Sequence, residues 1–204
     1  IRTVAVEGTQ FLINGKPFYF KGFGKHEDAA FRGRGLDVCL DVKDINLIHW
    51  LNANSFRTSH YPYAEEMYQL CDREGIVVID ETPAVGIGAG DKIDPYKTFH
   101  IREHHEQVLR EMIARDKNHP CVVMWSMGNE PDTEHFPESA YDYWHSLYEL
   151  THSIEKSRFY AKLQQVVLKK IKADGLDLDT LRAEKQALYE RHGVTDVDAD
   201  SEIV

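Results

Sequence analysis

The sequence predicts an α/β protein: a partial (β/α)8 TIM barrel of about four βα units, followed by a helical C-terminal extension. Strand and helix signals alternate along the chain and repeat four times, which is typical of a parallel sheet built from βα units. The strand runs are continuously apolar, as expected where both faces of a strand are buried. A doubly wound sheet shares these features, but polar residues at the ends of all four strands favour the barrel.

The elements follow from local pattern. In "FLINGKPFYFKG" (11–22), Asn14-Gly15 predicts a hairpin turn, and its second strand is expected to continue into "FKGFGKHED". Helices are predicted where apolar residues recur at helical spacing, with Gly75 as a typical helix end. The predicted helices span 36–54, 64–75, 98–118 and 137–156, and the later strands span 55–62, 76–81 and 121–130.

The C-terminal region from 157 to 204 has a different pattern. Two stretches, ending at Gly175 and Gly193, carry apolar residues on one helical face, and the last residues are short and acidic. No apolar strand run occurs after residue 130. We therefore predict a barrel-type domain over 1–156 and a helical tail over 157–204.

Composition excludes several classes of partner. The formal net charge is −10, which argues against nucleic acid and anionic membranes, since both attract Lys and Arg. The three cysteines, Cys39, Cys71 and Cys121, are scattered, as expected for free buried thiols in a reducing compartment, so a cytoplasmic location is expected. The start, "IRTVAVEG", has no initiator Met and no signal-peptide pattern, which suggests a piece of a longer protein.

No cofactor or metal site is predicted. The glycine-rich "GIGAG" (86–90) is not followed by a helix, so a flexible loop is a better interpretation than a phosphate-binding loop. His100, His104 and His105 have a spacing that could hold zinc, but neither an acidic ligand nor a fourth nitrogen is evident that would complete such a site. A solvated helix face explains these histidines better. The aromatic residues Tyr141, Trp144 and Tyr148 share a stripe that predicts a helix core or covering face.

The chemistry-bearing residues collect where the strands end. His26, Glu27 and Asp28 follow the first barrel strand, Arg57 and His60 lie at the end of the second, and Asp80-Glu81 ends the third. The fourth strand, in "VVMWSMGNEPD" (122–132), ends in Asn129-Glu130. The carboxyl ends of the strands form the active-site face of a (β/α)8 barrel, so this pattern predicts a catalytic site there.

Two long motifs resemble a known family. "NSFRTSHYP" (54–62) and "DKNHPCVVMWSMGNE" (116–130) are similar to the two signatures of family-2 glycoside hydrolases. Within that family, "GFGKHEDA" (22–29) and the segments 59–86 and 114–134 look most like β-glucuronidases. The resemblance covers about residues 1–153. It implies that 1–156 is the first half of a glycoside hydrolase TIM-barrel catalytic domain, acting on a β-glucuronide without a cofactor.

The resemblance also assigns roles to residues. Glu130 is implied to be the general acid/base of a retaining glycosidase, a task that requires a raised pKa. Asn129 is implied to bind the sugar 2-hydroxyl, and Arg57 to support the carboxylate pair. His60 and His26 are expected to line the sugar pocket. For Asp80 and Glu81, support of the site and capping of the following loop are equally good interpretations.

The family pattern is incomplete in this sequence. The expected nucleophile is a Glu at the end of a seventh strand, and the Glu residues after 130 all lie in helical or tail context. One interpretation is half of a β-glucuronidase site. The alternative is a non-catalytic half-barrel, either a scaffold, a weak sugar binder, or one completed by a second chain. Because four parallel strands leave an unpaired edge, a homo-oligomer is one expected form.

Overall fold

A computed structural model of the protein describes residues 2–154. These residues, up to Thr151, form one compact unit. The tail predicted over 157–204 lies outside the described residues. No helix in the described part of the chain combines the length and apolar character needed to cross a bilayer.

The chain begins with a small antiparallel sheet. Its strands β1 (Val4–Glu7), β2 (Gln10–Ile13) and β3 (Lys16–Pro17) lie in sequence order. Asn14 and Gly15 connect β2 to β3 with φ of 53° and 72°, so the hairpin prediction is confirmed. The predicted continuation of the second strand is wrong, because the sequence after Pro17 leaves this sheet and its next strand joins another one.

The main sheet contains four parallel strands and confirms the predicted βα repeat. Their order is β4-β5-β6-β7, the same as in the sequence, as expected for successive strands of a barrel wall. The sheet is not closed within the described residues. Its elements are β4 (Gly22–Lys25), α1 (Val38–Trp50), β5 (Ser55–Thr58), α2 (Glu65–Glu74), β6 (Val77–Glu81), α3 (Pro95–Thr98), α4 (Arg102–Asp116), β7 (Val122–Ser126) and α5 (137–154).

The core lies between the sheet and helices α1 and α2. Alternate strand residues point to this side, so Phe56, Val78 and Val122 are buried there. The helices contribute Ile45, Ile48, Met67, Tyr68 and Cys71. Gly75 ends α2 with φ of 72°, a left-handed conformation that glycine adopts without steric cost, and its N–H bonds to the carbonyl of Cys71 at 2.9 Å.

Two expectations about side-chain burial are wrong. Cys39 is exposed, whereas Cys71 and Cys121 are buried as expected. In α5 the buried residues are Ala140, Tyr143, Leu147 and Thr151, and not the predicted stripe, in which Tyr141 and Tyr148 are exposed.

His105 is a buried residue of the core and not part of a solvated helix face. The Thr82 hydroxyl donates to the carbonyl of Met127 at 2.7 Å, so Nε2 of His105 must donate to Thr82 Oγ1 at 2.9 Å. Nδ1 then accepts from the Tyr143 hydroxyl at 2.8 Å. Burial lowers the pKa of His105, which favours this neutral form. The histidine therefore joins α4 and α5 to the end of β6.

Asp80 lies on the helix side of β6. Its Oδ1 accepts hydrogen bonds from the Tyr68 hydroxyl of α2 at 2.7 Å and the Thr58 hydroxyl of β5 at 3.2 Å. Burial raises the pKa of Asp80 to about 8; the Tyr68 hydrogen bond opposes this shift and the charge of Asp116 adds to it. Asp80 thus stabilises the layer between sheet and helices in its protonated form.

We predict that Asp80→Asn flattens the dependence of stability on pH. Because the folded state binds this proton more tightly than the unfolded chain, the contribution is complete below the ordinary pKa of 3.8 and is lost as pH rises through about 8. The unfolding free energy from urea titrations should fall less steeply between about pH 5 and 8 in the variant, by at most about 1.4 kcal/mol per pH unit. The exposed Asp91→Asn should keep the wild-type slope; equal slopes in wild type and Asp80→Asn would contradict the assignment.

Candidate active site

The segments that follow β6 and β7 are paired by backbone hydrogen bonds, and together they form the carboxyl edge of the sheet. The N–H of Thr82 donates to the carbonyl of Ser126 at 3.0 Å. Asn129 donates its N–H to the carbonyl of Ala84 at 2.8 Å and accepts at its own carbonyl from Gly86 at 2.9 Å. These bonds continue the β6–β7 alignment beyond the strands, so Asn129 has a defined position beside the loop that follows β6.

Gly128 allows this close approach. A Cβ at this position would lie 2.8 Å from Cη2 of Trp144 in α5 and 2.9 Å from the carbonyl oxygen of Ala84. Neither the indole nor the backbone can move away freely, because Trp144 Nε1 donates to the Tyr96 hydroxyl at 3.3 Å. A residue without a side chain is therefore required directly before Asn129.

Glu130 has a backbone conformation that is unusual for its residue type. Its φ is 48°, in the left-handed region, and its side chain is exposed at the carboxyl edge of the sheet. A non-glycine residue pays a steric cost of about 1 kcal/mol or more for this conformation. Such strain persists where the surrounding structure demands it and is concentrated at functional sites. The hydrogen bonds of Asn129 supply that constraint here.

A buried carboxylate, Glu81, lies below this edge and is 0% exposed. Its Oε1 lies 2.7 Å from Nδ1 of His60, and its Oε2 lies 3.3 Å from Nη1 of Arg57. The Ser126 hydroxyl donates to the same Oε2 at 2.6 Å. Side chains from β5, from the loop after it and from β7 therefore meet at the end of β6.

Arg57 links Glu81 to the predicted catalytic segment. Its Nη2 donates to Oδ1 of Asn129 at 3.0 Å, while Nη1 lies beside Glu81. The guanidinium therefore joins the buried carboxylate to the residue that precedes Glu130. The structure brings Arg57, Asn129, His60 and Glu130 to one edge, as the sequence predicted.

The histidines form one side of the site. The rings of His26 and His60 meet edge to face with centroids 5.4 Å apart. His26 is the more exposed of the two, with 52% of its side chain accessible against 22% for His60. The Tyr61 hydroxyl accepts the N–H of Glu27 at 3.0 Å, which joins the loop after β4 to the loop after β5. Both histidines are therefore placed at the carboxyl edge.

The predicted site residue Asp80 is placed elsewhere. Side chains of adjacent strand residues point to opposite faces, so Asp80 contacts Tyr68 of α2 while Glu81 contacts Arg57 and His60. Asp80 therefore supports the helix layer and does not line the candidate site. The supporting carboxylate of the Asp80-Glu81 pair is Glu81.

A second cluster of polar residues lies at the start of β7, away from the carboxyl edge. Asp72, His119 and Cys121 bring potential metal-ligand atoms within 4.8 Å of one another. Asp72 already accepts from the backbone N–H of Cys121 at 2.8 Å and lies 2.6 Å from Nδ1 of His119. These bonds connect α2 to the turn that begins β7, and they explain the cluster structurally.

The comparisons with known proteins agree with this architecture. A family model described as "Glycosyl hydrolases family 2, TIM barrel domain" matches residues 4–193. The chain belongs to glycoside hydrolase family 2. The resemblance and the predicted barrel fold are thereby confirmed, and the family match extends past residue 156 into the segment predicted as a tail.

Several relatives of this family-2 chain are β-glucuronidases. The enzyme of Paenibacillus borealis is 56% identical over 165 residues, covering 78% of this chain and 27% of that protein. The Sus scrofa enzyme is 58% identical over 158 residues, covering 78% and 23%. The solved structure of Faecalibacterium prausnitzii β-glucuronidase is 70% identical with a TM-score of 0.73, covering 74% and 26%. The family-2 chain thus spans about a quarter of the length of the relatives it matches.

Sequence reasoning missed Ser126 and left the role of Glu81 open. The only local indication that Glu81 supports the site was its position at the end of a buried strand. Asp80 has the same position, so the sequence could not distinguish the two. The register Glu81↔Ser126 between β6 and β7 decides which side chains meet, and a bulge between Val78 and Ile79 shifts that register. This shift has no mark in the sequence.

The left-handed backbone of Glu130 generates a prediction about stability. Asn tolerates this conformation better than other non-glycine residues, whereas Gln has the same backbone preference as Glu. Glu130→Asn should therefore unfold at a higher urea concentration than Glu130→Gln, with an unfolding free energy larger by about 0.5–1 kcal/mol. Both variants remove the charge, so each controls for the other. Equal stability of the two would show that no strain resides at this position.

Proposed function

We propose that this family-2 chain carries the acid/base half of a retaining β-glucuronidase site, with Glu130 as the acid/base. The observation that supports this best is the chain of contacts from buried Glu81 through Arg57 to Asn129, the residue directly before Glu130, together with the left-handed backbone of Glu130 at the carboxyl edge of the sheet. An exposed carboxylate of purely structural origin needs no such support.

The chemistry assigned to Glu130 has two steps. In the first, its carboxyl group donates a proton to the glycosidic oxygen while a second carboxylate attacks the anomeric carbon. The bond between that carbon and the glycosidic oxygen breaks, the aglycone leaves as an alcohol, and a glycosyl–enzyme ester is formed. In the second, Glu130 removes a proton from water, which attacks the same carbon and releases the sugar with retained configuration. The two carboxyl groups of retaining enzymes lie about 5–5.5 Å apart.

The side-chain amide of Asn129 is oriented so that its Nδ2 group can donate a hydrogen bond to a sugar. Because its Oδ1 accepts from Arg57 at 3.0 Å, its Nδ2 group is left to donate to a ligand. Hydrogen bonds to the 2-hydroxyl next to the reacting carbon strengthen in the transition state. Arg57 contributes by holding the amide in this orientation.

The substrate class follows from the relatives. The first relatives in both comparisons are β-glucuronidases, and the Bifidobacterium dentium enzyme, 63% identical with a TM-score of 0.70, is described in complex with coumarin-3-O-glucuronide. We assign a β-glucuronide to this site by that similarity. His60 and His26 then contact the sugar from the side of β4 and β5.

The nucleophile in this proposal comes from outside the described residues. Glu81 is fully buried and held by three neighbours, so it cannot reach an anomeric carbon. Glu27 accepts the N–H of Ala64 at 3.0 Å and is held in the loop after β4. The sheet of residues 2–154 has open edges at β4 and β7, where the remaining strands of a barrel would pair.

The alternative function is a non-catalytic half-barrel that acts as a scaffold or binds sugar weakly. The observation in its favour is the same sheet, which is not closed within residues 2–154. A second copy or another chain could also complete the site, in which case a homo-oligomer is the active form.

An assay with an external nucleophile separates these functions. We expect the purified chain alone to release no phenol from an aryl β-glucuronide above background. Added azide or formate, attacking the anomeric carbon in place of a carboxylate that residues 2–154 do not supply, should restore release as Glu130 protonates the departing oxygen. Glu130→Gln should lower the rescued rate by about 10²–10⁴-fold for an aglycone that leaves poorly.

Each outcome is decisive for one part of the proposal. Release without added nucleophile that Glu130→Gln abolishes would show that a nucleophile is present in the chain. No rescue and no saturable binding of the glucuronide would remove the catalytic proposal and favour the scaffold. An aryl β-galactoside serves as the matched control substrate and should give no rescued release.

A further inference from the structure

The atoms around Glu81 have restricted hydrogen-bonding roles. A carboxylate beside a guanidinium accepts hydrogen bonds and donates none, and the guanidinium of Arg57 donates and accepts none. Glu81 is 0% exposed, so no water competes for its two oxygens. Every neighbour within hydrogen-bond distance must therefore present a hydrogen to it.

The first consequence concerns His60. Its Nδ1 lies 2.7 Å from Oε1 of Glu81, so the proton of the neutral imidazole must be on Nδ1. Nε2 is then the ring nitrogen left for a ligand, and in the neutral ring it is an acceptor. The contact with Glu81 thus decides the tautomer of a histidine at the edge of the site.

The second consequence concerns Asn129. Arg57 reaches Glu81 with Nη1 and Asn129 with Nη2, at 3.3 Å and 3.0 Å. Because Nη2 only donates, the atom of Asn129 facing it must be the carbonyl Oδ1, and the amide nitrogen must point away. The orientation of Arg57 is in turn held by Glu81, so the buried carboxylate also decides which end of the amide is offered to a ligand.

We propose that Glu81 is a positioning residue. Through His60 and Arg57, it determines which side-chain atoms at the carboxyl edge donate hydrogen bonds to a sugar and which accept them. It makes Asn129 Nδ2 a donor and His60 Nε2 an acceptor. The site therefore selects a ligand that presents an acceptor oxygen to Asn129 Nδ2 and a hydroxyl hydrogen to His60 Nε2. The tautomer and amide orientation stand on geometry alone; the assignment of the ligand as a glucuronide rests on the proposed function.

A purely structural role is the competing explanation, in which Glu81 only connects β5, β6 and β7. Such a role predicts a loss of stability on substitution and no defined change in the proton of His60. The positioning role predicts a change of tautomer. In Glu81→Gln, the amide oxygen must stay towards Arg57 and Ser126, because Arg57 has no acceptor. The amide nitrogen then faces His60, so Nδ1 becomes an acceptor and the proton moves to Nε2.

Long-range ¹H–¹⁵N correlation spectra of the ¹⁵N-labelled chain measure this directly, at a pH where the imidazole is neutral. Wild type should show His60 protonated at Nδ1, and Glu81→Gln should show it at Nε2. The side-chain amide signals of Asn129 should shift in the same variant. Glu65→Gln, on the exposed face of α2, is the matched control and should leave both sets of signals unchanged.

Binding of a non-hydrolysable phenyl β-thioglucuronide supplies the functional readout. Glu81→Gln should weaken binding roughly tenfold or more, because His60 Nε2 then presents a hydrogen to a sugar hydroxyl that needs an acceptor there. Glu65→Gln should bind as wild type. If wild type binds no glucuronide, the proposed function fails while the tautomer measurement still decides the role of Glu81.

Two results would overturn the inference. One is a wild-type His60 protonated at Nε2, a measurement that needs no variant. The other is a folded Glu81→Gln chain that keeps the Nδ1 proton. If Glu81→Gln does not fold, Ser126→Ala replaces it: the carboxylate is retained, so the Nδ1 proton must be retained too, and its loss would contradict the proposal.

Discussion

The candidate site depends on the burial of one carboxylate among obligatory donors. Removing Glu81 from water is costly, and only the combined contacts of Arg57, His60 and Ser126 offset that cost. Because these three residues come from β5, the loop after it and β7, the sheet must be correctly assembled before the charge is satisfied. The same contacts that stabilise the carboxyl edge therefore also orient the polar groups beside Glu130.

The class of fold was predictable because its signals are local. Apolar runs, helical spacing and the turn residues Asn14-Gly15 and Gly75 each act within a few positions of the chain, and the parallel sheet follows from their order. The strand ends also predicted which residues lie at the carboxyl edge of the sheet. Arg57, His60, Asn129 and Glu130 are all found at that edge, since parallel strands place their carboxyl ends together.

What the sequence could not predict depends on register and on the third dimension. Asp80 and Glu81 are adjacent and chemically alike, yet one faces α2 and the other faces the site. His105 was misjudged for a related reason: its helix spacing suggested a solvated face, but Thr82 and Tyr143 from other elements surround it. In each case the deciding partner is far away in the sequence, so no local pattern contains it.

The contact between Gly128 and the indole of Trp144 has a mechanical consequence. A Cβ at Gly128 would lie 2.8 Å from Cη2 of Trp144. The indole of α5 therefore prevents the segment that carries Asn129 and Glu130 from moving towards this helix. The indole is itself restrained by Tyr96, whose hydroxyl also donates to the carbonyl of Asp132 at 2.7 Å. The segment around Glu130 is thus in contact at Gly128 before it and at Asp132 after it, so its position depends on packing against a helix as well as on the polar contacts of the site.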